Sequence, residues 1–172
     1  IVKHITNKTK AILFSNPGNP TGKILSLKEM ELIKEIAIEY DLFIISDEVY
    51  RKMAFDDIKS YSMGELKGID DRLILVDSVS KRFSACGARI GALISKNKEL
   101  TKNILKLCQA RLSVATLEQI GSAELYKLPC TYTDEIKEIY QKRRDIVYET
   151  LSSIPGVVCK KPQGAFYVVV KL

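Results

Sequence analysis

Apolar runs and helical patterns alternate along the first hundred residues of the chain. Three short runs are almost entirely apolar, namely Ala11–Ser15 (AILFS), Phe43–Asp47 (FIISD) and residues 73–77 (LILVD). Strands buried on both faces of a parallel sheet have this pattern, because neither face needs polar side chains. The pattern therefore predicts an α/β fold in which helices cover a largely parallel sheet.

A helix is predicted between the first two of these strands. Ser26 is its expected N-cap, and Glu29 three residues later completes a capping box. Met30, Ile33 and Ala37 then form an apolar stripe at helical spacing. The two strands and this helix thus form one unit, whose crossover is expected to be right-handed.

A fourth apolar run, residues 90–94, follows the third strand after a connection that is too short for another helical crossover. It is therefore expected to lie antiparallel to the third strand. The expected fold class is α/β with three layers, in which helices flank a mostly parallel sheet that contains one antiparallel strand.

The second half of the chain is mainly helical in pattern. The expected elements are three helices and two short strands, at residues 98–110, 116–126, 133–152, 157–159 and 166–170. Pro155 and Gly156 are a typical stop for the last helix. We expect residues 1–150 to form part of a large domain and residues 151–172 to begin a smaller one. The chain closes at Leu172 directly after an apolar run, so we expect both domains to be truncated.

Composition narrows the possible functions only slightly. The net charge of +6 comes from Lys and Arg spread along the chain with Asp and Glu between them, whereas nucleic-acid-binding surfaces cluster their positive charge. Cys86, Cys108, Cys130 and Cys159 form no CxxC pair, and one His is too few for a zinc site. We therefore expect reduced thiols in a cytoplasmic protein, no bound metal and no nucleic acid partner. No apolar run approaches the roughly 18 residues of a membrane helix, so no membrane span is expected.

Polar residues gather where the three apolar strands end. They are the loop 16–22 (NPGNPTG), Asp47, Tyr50, Ser78, Ser80 and Lys81. In an open parallel sheet, the loops at the carboxyl ends of the strands converge on one crevice where ligands bind. Taken singly, each feature has a structural explanation: the loop as a tight turn, Asp47 as a solvated strand end and Lys81 as a surface charge. Their shared position predicts one site.

The three motifs in this order resemble a known family. NPGNPTG, then SDEVY, then SVSK followed by GARIG are similar to motifs of the fold-type I pyridoxal-phosphate enzymes, specifically the class I and II aminotransferases related to aspartate aminotransferase. The resemblance is specific over residues 11–95 and weaker through QARLSVATLEQ and the closing PQGAFY. It implies the central portion of a pyridoxal-phosphate transferase, with part of its large domain.

The resemblance assigns the two central roles to Lys81 and Asp47. Lys81 matches the lysine that forms a Schiff base with the aldehyde of pyridoxal 5'-phosphate, and its freed amine then moves the substrate proton. Asp47 matches the carboxylate that keeps the pyridine nitrogen protonated, so that the ring can withdraw electrons.

The resemblance also implies further cofactor-binding residues. Tyr50 and Asn19 match the groups that hydrogen-bond the 3' oxygen of the ring. Arg89 matches the arginine that binds the phosphate, for which its planar fork is well suited. Ser78 and Ser80 would add hydroxyl donors.

The resemblance implies an enzyme that transfers an amino group between an amino acid, in first place an aspartate-like one, and a 2-oxo acid. A homodimer is expected of the intact enzyme. The phosphate-binding turn upstream and the arginine that clamps the substrate α-carboxylate downstream are not in this sequence. We therefore expect the 172-residue chain to be inactive alone, and turnover by it with added pyridoxal phosphate would overturn that expectation.

Two alternatives share the same motifs. One is a pyridoxal-phosphate enzyme of another reaction type, such as a C–S or β-elimination lyase or a cyclopropane-forming synthase. Formation of glutamate from 2-oxoglutarate would support transfer, whereas pyruvate with ammonia would indicate elimination. The other is a ligand-sensing domain of a transcription regulator, which a winged-helix segment upstream would favour.

Overall fold

The computed structural model describes all 172 residues and has a four-stranded sheet at its centre. The strands are β1 (Ala11–Ser15), β2 (Phe43–Asp47), β3 (Leu73–Ser78) and β4 (Gly91–Ile94), in that spatial order. β1, β2 and β3 are parallel, and β4 is antiparallel to β3. The mostly parallel sheet with one antiparallel strand, flanked by helices, confirms the expected fold class.

The register places the ends of the parallel strands at one level. Asp47, the last residue of β2, lies beside Ser15 of β1 and Val76 of β3. Side chains that follow these strands therefore start from the same edge of the sheet.

Helix α1 (Leu27–Glu39) begins at the predicted capping box. The Ser26 Oγ accepts a hydrogen bond from the Glu29 backbone N–H at 3.3 Å, and Glu29 Oε2 accepts one from the Ser26 backbone N–H at 2.8 Å. The stripe of Met30, Ile33 and Ala37 is buried against β2 and the segment after it, as predicted. α1 therefore covers part of one face of the sheet, over β1 and β2.

We expect Ser26→Ala to lower the free energy of unfolding by about 1 kcal/mol, because it removes one half of the capping box. Hydrogen bonds from Lys23 and Ser26 lower the pKa of Glu29 from 4.5 to about 2. A depressed carboxyl pKa stabilises the fold above 4.5, and this stabilisation is lost as the pH falls towards 2. The difference in free energy of unfolding between the wild type and Ser26→Ala, measured by urea unfolding, should therefore be smaller at pH 3 than at pH 7. Ser113→Ala, on an exposed residue, should change neither measurement.

Three of the remaining helices agree with the predictions apart from their ends: α3 (Lys98–Ala110), α4 (Thr116–Leu125) and α5 (Cys130–Ser152). The short α2 (Val79–Arg82) was not predicted. α5 begins three residues before the predicted start. Pro129 precedes it with φ at −63°, and a proline there costs no hydrogen bond because the first N–H groups of a helix have no partner within it.

The predicted strand at residues 166–170 is mostly wrong. The two closing strands are β5 (Val158–Cys159) and β6 (Val170–Lys171), which pair antiparallel in a separate sheet. The chain turns at Ala165, where φ is 59°, and the two aromatic residues after it pack on Tyr50. The division at residue 150 stays a prediction, and residues 163–165 hydrogen-bond to loops of the larger sheet.

One buried arginine of α5 connects three parts of the chain. Arg144 binds the Asp56 carboxylate with two nitrogens, at 2.7 and 2.9 Å, and donates a third hydrogen bond to the Pro162 carbonyl. Its guanidinium also lies 4.9 Å from the centroid of the Phe55 ring. These contacts hold α5, the loop after β2 and the segment that follows β5 together.

The sheet is not covered on both faces throughout. Leu13 of β1 is 72% exposed, although the apolar run of that strand had predicted burial on both sides. All four residues of β4 are exposed as well. α3 buries no residue completely. None of the helices combines the length and the apolar character that crossing a membrane requires.

Candidate active site

A cavity of about 450 Å³ opens at the carboxyl ends of β1 and β2. Four predicted site residues line it: Asn19, Asp47, Tyr50 and Lys81. Asn19 follows β1, Asp47 ends β2 and Lys81 follows β3, while Tyr50 lies on the turn after β2. Side chains at the carboxyl ends of three parallel strands thus meet in one cavity, as predicted. The other lining residues are Leu13, Phe14, Ser15, Val49 and Tyr167.

Asp47 and its neighbour Glu48 have opposite environments, because successive side chains of a strand leave on opposite faces. Glu48 is 4% exposed and accepts hydrogen bonds from the Ser46 hydroxyl at 3.1 Å and the Met63 N–H at 2.9 Å. Asp47 lines the cavity and accepts one hydrogen bond, from the Val49 N–H to Oδ1 at 3.2 Å. Its second carboxylate oxygen has no protein donor and is available to a ligand.

Tyr50 is a buried phenol, 3% exposed, on the turn after β2. Its hydroxyl oxygen lies 2.7 Å from that of Tyr167. Burial raises the pKa of Tyr50 well above its ordinary value, and the nearby charge of Asp47 raises it further. Tyr50 therefore remains protonated at neutral pH and can donate a hydrogen bond.

Lys81 stands in the short helix α2 directly after β3. Its ammonium group lies 5.5 Å from the centroid of the Phe166 ring and makes no ion pair. The nearby carboxylate of Asp77 is instead paired with Arg82 at 2.6 Å. The amine of Lys81 thus lines the cavity and has no carboxylate partner.

The loop NPGNPTG divides its two asparagines between structure and site. Asn16 is buried, and its side chain accepts from the Leu25 N–H at 2.9 Å and donates to the Tyr61 carbonyl at 3.3 Å. Asn19 lines the cavity, and its backbone N–H donates to the Ser15 hydroxyl at 2.9 Å. This division supports the choice of Asn19 as the ligand-facing residue of the motif.

The other three predicted residues do not line this cavity. Ser78 Oγ lies 2.8 Å from Ser80 Oγ and donates to the Ile90 carbonyl at 2.9 Å. Arg89, with φ at 57°, donates to the Cys86 carbonyl at 2.9 Å and lines a separate, open cavity of about 810 Å³. The cofactor roles of Ser78, Ser80 and Arg89 stay predictions.

Sequence reasoning missed two aromatic residues at the site, Phe166 and Tyr167. The ring of Phe166 faces the Lys81 ammonium and packs edge-on to Tyr50 at 5.2 Å. The only signal was the motif PQGAFY, whose resemblance to the family carried no role for these rings. Nothing in the sequence pairs Tyr167 with Tyr50 across 117 positions.

The lining residues fit pyridoxal phosphate. Lys81 supplies a primary amine for an aldehyde, Asp47 a free carboxylate oxygen for a protonated ring nitrogen, and Tyr50 with Asn19 donors for a ring oxygen. A volume of about 450 Å³ is typical of a small-molecule site. Together with the sheet topology, this arrangement resembles the large domain of the fold-type I pyridoxal-phosphate enzymes.

Comparison with known proteins identifies the family. The sequence profile of the family Aminotransferase class I and II matches residues 1–172, and the chain belongs to this family. An aspartate aminotransferase of Pyrococcus abyssi is 34% identical over 168 residues, which are 96% of this chain and 43% of the relative. An aromatic-amino-acid aminotransferase of Thermococcus litoralis is 33% identical, with the same coverage.

A solved structure, an alanine aminotransferase from Pyrococcus furiosus, superposes with a TM-score of 0.90 at 36% identity. The match covers 99% of this chain and 44% of that structure. The chain thus spans less than half the length of the relatives it matches.

Proposed function

We propose that this chain forms the cofactor-binding core of a pyridoxal-phosphate-dependent aminotransferase, which moves an amino group from an amino acid to a 2-oxo acid. One observation carries the proposal: Lys81, Asp47, Tyr50 and Asn19 line a single cavity at the carboxyl ends of parallel strands. The relatives compared above are all named as aminotransferases, and this favours amino-group transfer over elimination or ligand sensing.

When bound, pyridoxal phosphate supplies an aldehyde that bonds covalently to primary amines and a ring that withdraws electrons from the attached carbon. The amine of Lys81 would hold the cofactor and would also serve as the general base for the proton on the substrate Cα. Asp47 would keep the pyridine nitrogen protonated through the carboxylate oxygen that has no protein donor. Tyr50 and Asn19 would donate hydrogen bonds to the ring oxygen.

The proposal is tested by supplying the full-length protein with pyridoxal phosphate, 2-oxoglutarate and one amino acid at a time. Aspartate, an aromatic amino acid and alanine are the first donors to compare, since the relatives are named for all three. Glutamate formed in step with the donor's own 2-oxo acid supports transfer. Release of ammonia without glutamate would contradict it.

We expect Asp47→Asn in the full-length protein to lower kcat by about 10- to 100-fold. An amide keeps the shape of the carboxylate and loses its charge, and a hydrogen bond to a charged group contributes roughly 1.5–3 kcal/mol. Glutamate production under saturating donor measures the effect. Asp57→Asn, an exposed residue at positive φ where Asn is well tolerated, is the matched control and should retain full activity.

Location and assembly follow as further proposals. All four cysteines are free thiols, which suits the reducing cytoplasm. Exposed apolar residues such as Leu112 and Leu117 suit burial in an assembly, and we propose a homodimer for the intact protein. Light scattering of the purified full-length protein would give the oligomeric state directly.

A further inference from the structure

A second tyrosine, Tyr167, stands in the cavity without a role in the proposed function. It lines the cavity together with Asp47 and Lys81. Its hydroxyl oxygen is 2.7 Å from that of Tyr50, and the two rings meet edge-on at 5.7 Å. The pair brings together two phenols from the turn after β2 and from the motif PQGAFY.

Which phenol donates decides what Tyr50 can do. Each hydroxyl has one proton to donate and lone pairs to accept with. If Tyr50 donates to Tyr167, its only proton is used and it cannot donate to a ligand. If Tyr167 donates to Tyr50, the proton of Tyr50 is free to point at the cavity, and accepting a hydrogen bond makes Tyr50 a stronger donor.

The backbone before Tyr167 is fixed against the loops that carry the site. The N–H groups of Gln163 and Gly164 both donate to the Gly22 carbonyl, at 2.8 and 2.9 Å, and that of Ala165 donates to the Met53 carbonyl at 3.0 Å. Ala165 has a φ of 59°, a region that side chains other than Gly rarely adopt. Strain of this kind persists only where the surroundings enforce it, and it often occurs at functional sites.

Close packing at Gly164 fixes the same segment. A Cβ atom added there would lie 2.7 Å from the Met53 carbonyl oxygen. The position of Tyr167 relative to Tyr50 is therefore set by the large domain and not by a mobile end of the chain.

We propose that Tyr167 is a positioning residue, which donates its hydroxyl proton to Tyr50 and so directs the proton of Tyr50 at the ring oxygen of bound pyridoxal phosphate. The inference rests on the proposed function, since it assigns a partner to a residue of that site. The charged groups near the pair are Asp47 and Lys81 in the cavity and Arg143 and Arg144 behind Tyr167. All four are unchanged when only the Tyr167 hydroxyl is removed.

Tyr167→Phe in the full-length protein tests the inference. The dissociation constant of pyridoxal phosphate, from spectrophotometric titration, should rise about fivefold, the size of one neutral hydrogen bond. The bound cofactor changes its visible absorbance with pH, and the midpoint pH of this change should rise by roughly half a unit. Without the Tyr167 hydroxyl, Tyr50 is a weaker donor to the ring oxygen, so that oxygen keeps more negative charge and binds a nearby proton more tightly. Unchanged or tighter binding, with an unchanged midpoint, would show that Tyr50 donates to Tyr167 and would overturn the inference.

Tyr140→Phe is the matched control. The Tyr140 ring stacks on Phe166 at 5.4 Å in the same aromatic cluster, and its hydroxyl is not part of the Tyr50–Tyr167 pair. Both variants keep their rings and should keep the melting temperature of the wild type. Only Tyr167→Phe should change the affinity and the midpoint pH, and equal changes in both variants would assign the effect to packing.

A double-mutant cycle separates the two proposals. In a Tyr50→Phe background, Tyr167→Phe should change the dissociation constant by less than about twofold, because Tyr167 acts through Tyr50. Equal losses in both backgrounds would refute the positioning role. A wild-type protein that does not bind pyridoxal phosphate at all would instead refute the proposed function.

Discussion

Lys81→Ala in the full-length protein abolishes covalent retention of pyridoxal phosphate and lowers kcat by at least about 10²- to 10⁴-fold, the contribution typical of one positioned proton-transfer group. The reason is geometric: Lys81 is the only lysine among the residues that line the cavity. Reduction with borohydride, followed by peptide mass spectrometry, should find the cofactor attached to the peptide containing Lys81 in the wild type and to no peptide in the variant.

The matched control for this prediction is Lys52→Ala. Lys52 is an exposed lysine on the loop after β2, outside the cavity, so the variant should retain both the covalent cofactor and the activity. Cofactor trapped at a second lysine in Lys81→Ala would show that another amine reaches the aldehyde. That result would remove the main support for the assigned site.

Arg144→Met should lower the free energy of unfolding by about 3 kcal/mol. The side chain of Arg144 is 4% exposed and that of Asp56 is 41% exposed, so the pair is only half desolvated and the lower end of the range for buried pairs applies. Loss of the contact with the Phe55 ring adds to the effect. Urea unfolding of both proteins at pH 7 gives the difference directly.

The same pair has a predictable response to acid. The hydrogen bonds from Arg144 lower the pKa of Asp56, so the pair stabilises the fold above the ordinary carboxyl pKa and this contribution is lost as the pH falls through the lowered value. Arg144→Met should therefore lose less stability than the wild type when the pH is lowered below about 4. Arg143→Met, on the exposed neighbour in the same helix, should change stability by less than about 0.5 kcal/mol. A similar loss in both variants would mean that the helix surface, and not the pair, is responsible.

Arg144 also matters for the site, although it lies outside the cavity. Its hydrogen bond to the Pro162 carbonyl fixes the chain just before the segment that carries Phe166 and Tyr167. We expect a fall in cofactor affinity to accompany the loss of stability in Arg144→Met. The two effects share one cause, since both depend on the position of the segment after β5.

The first half of the fold could be predicted because its signals are local. The strands β1, β2 and β3 are short apolar runs, and α1 shows its start in the spacing of Ser26 and Glu29. The site residues on these elements followed from one rule, since parallel strands end at a common edge. Asp47 and Lys81 therefore line one cavity, as the sequence had indicated.

The features that sequence reasoning missed depend on contacts between distant parts of the chain. Residues 166–170 have the apolar pattern of a strand, but the turn at Ala165 sends two rings into the site instead. The pattern of β1 suggested cover on both faces, but whether Leu13 is covered depends on what packs against it and not on its own identity. The hydrophobic periodicity of a sequence indicates the side of a strand on which a side chain lies. The residues that pack against that side chain depend on the rest of the fold.

The alternation of Asp47 and Glu48 at the end of β2 makes the site sensitive to the length of that strand. Deleting a single residue inside β2 would move every following side chain of the strand to the opposite face. Glu48, which now accepts hydrogen bonds from Ser46 and Met63, would then face the ligand, and Asp47 would enter the core. Changes of length in homologous genes should therefore be found in the turns before and after this strand and be absent within it.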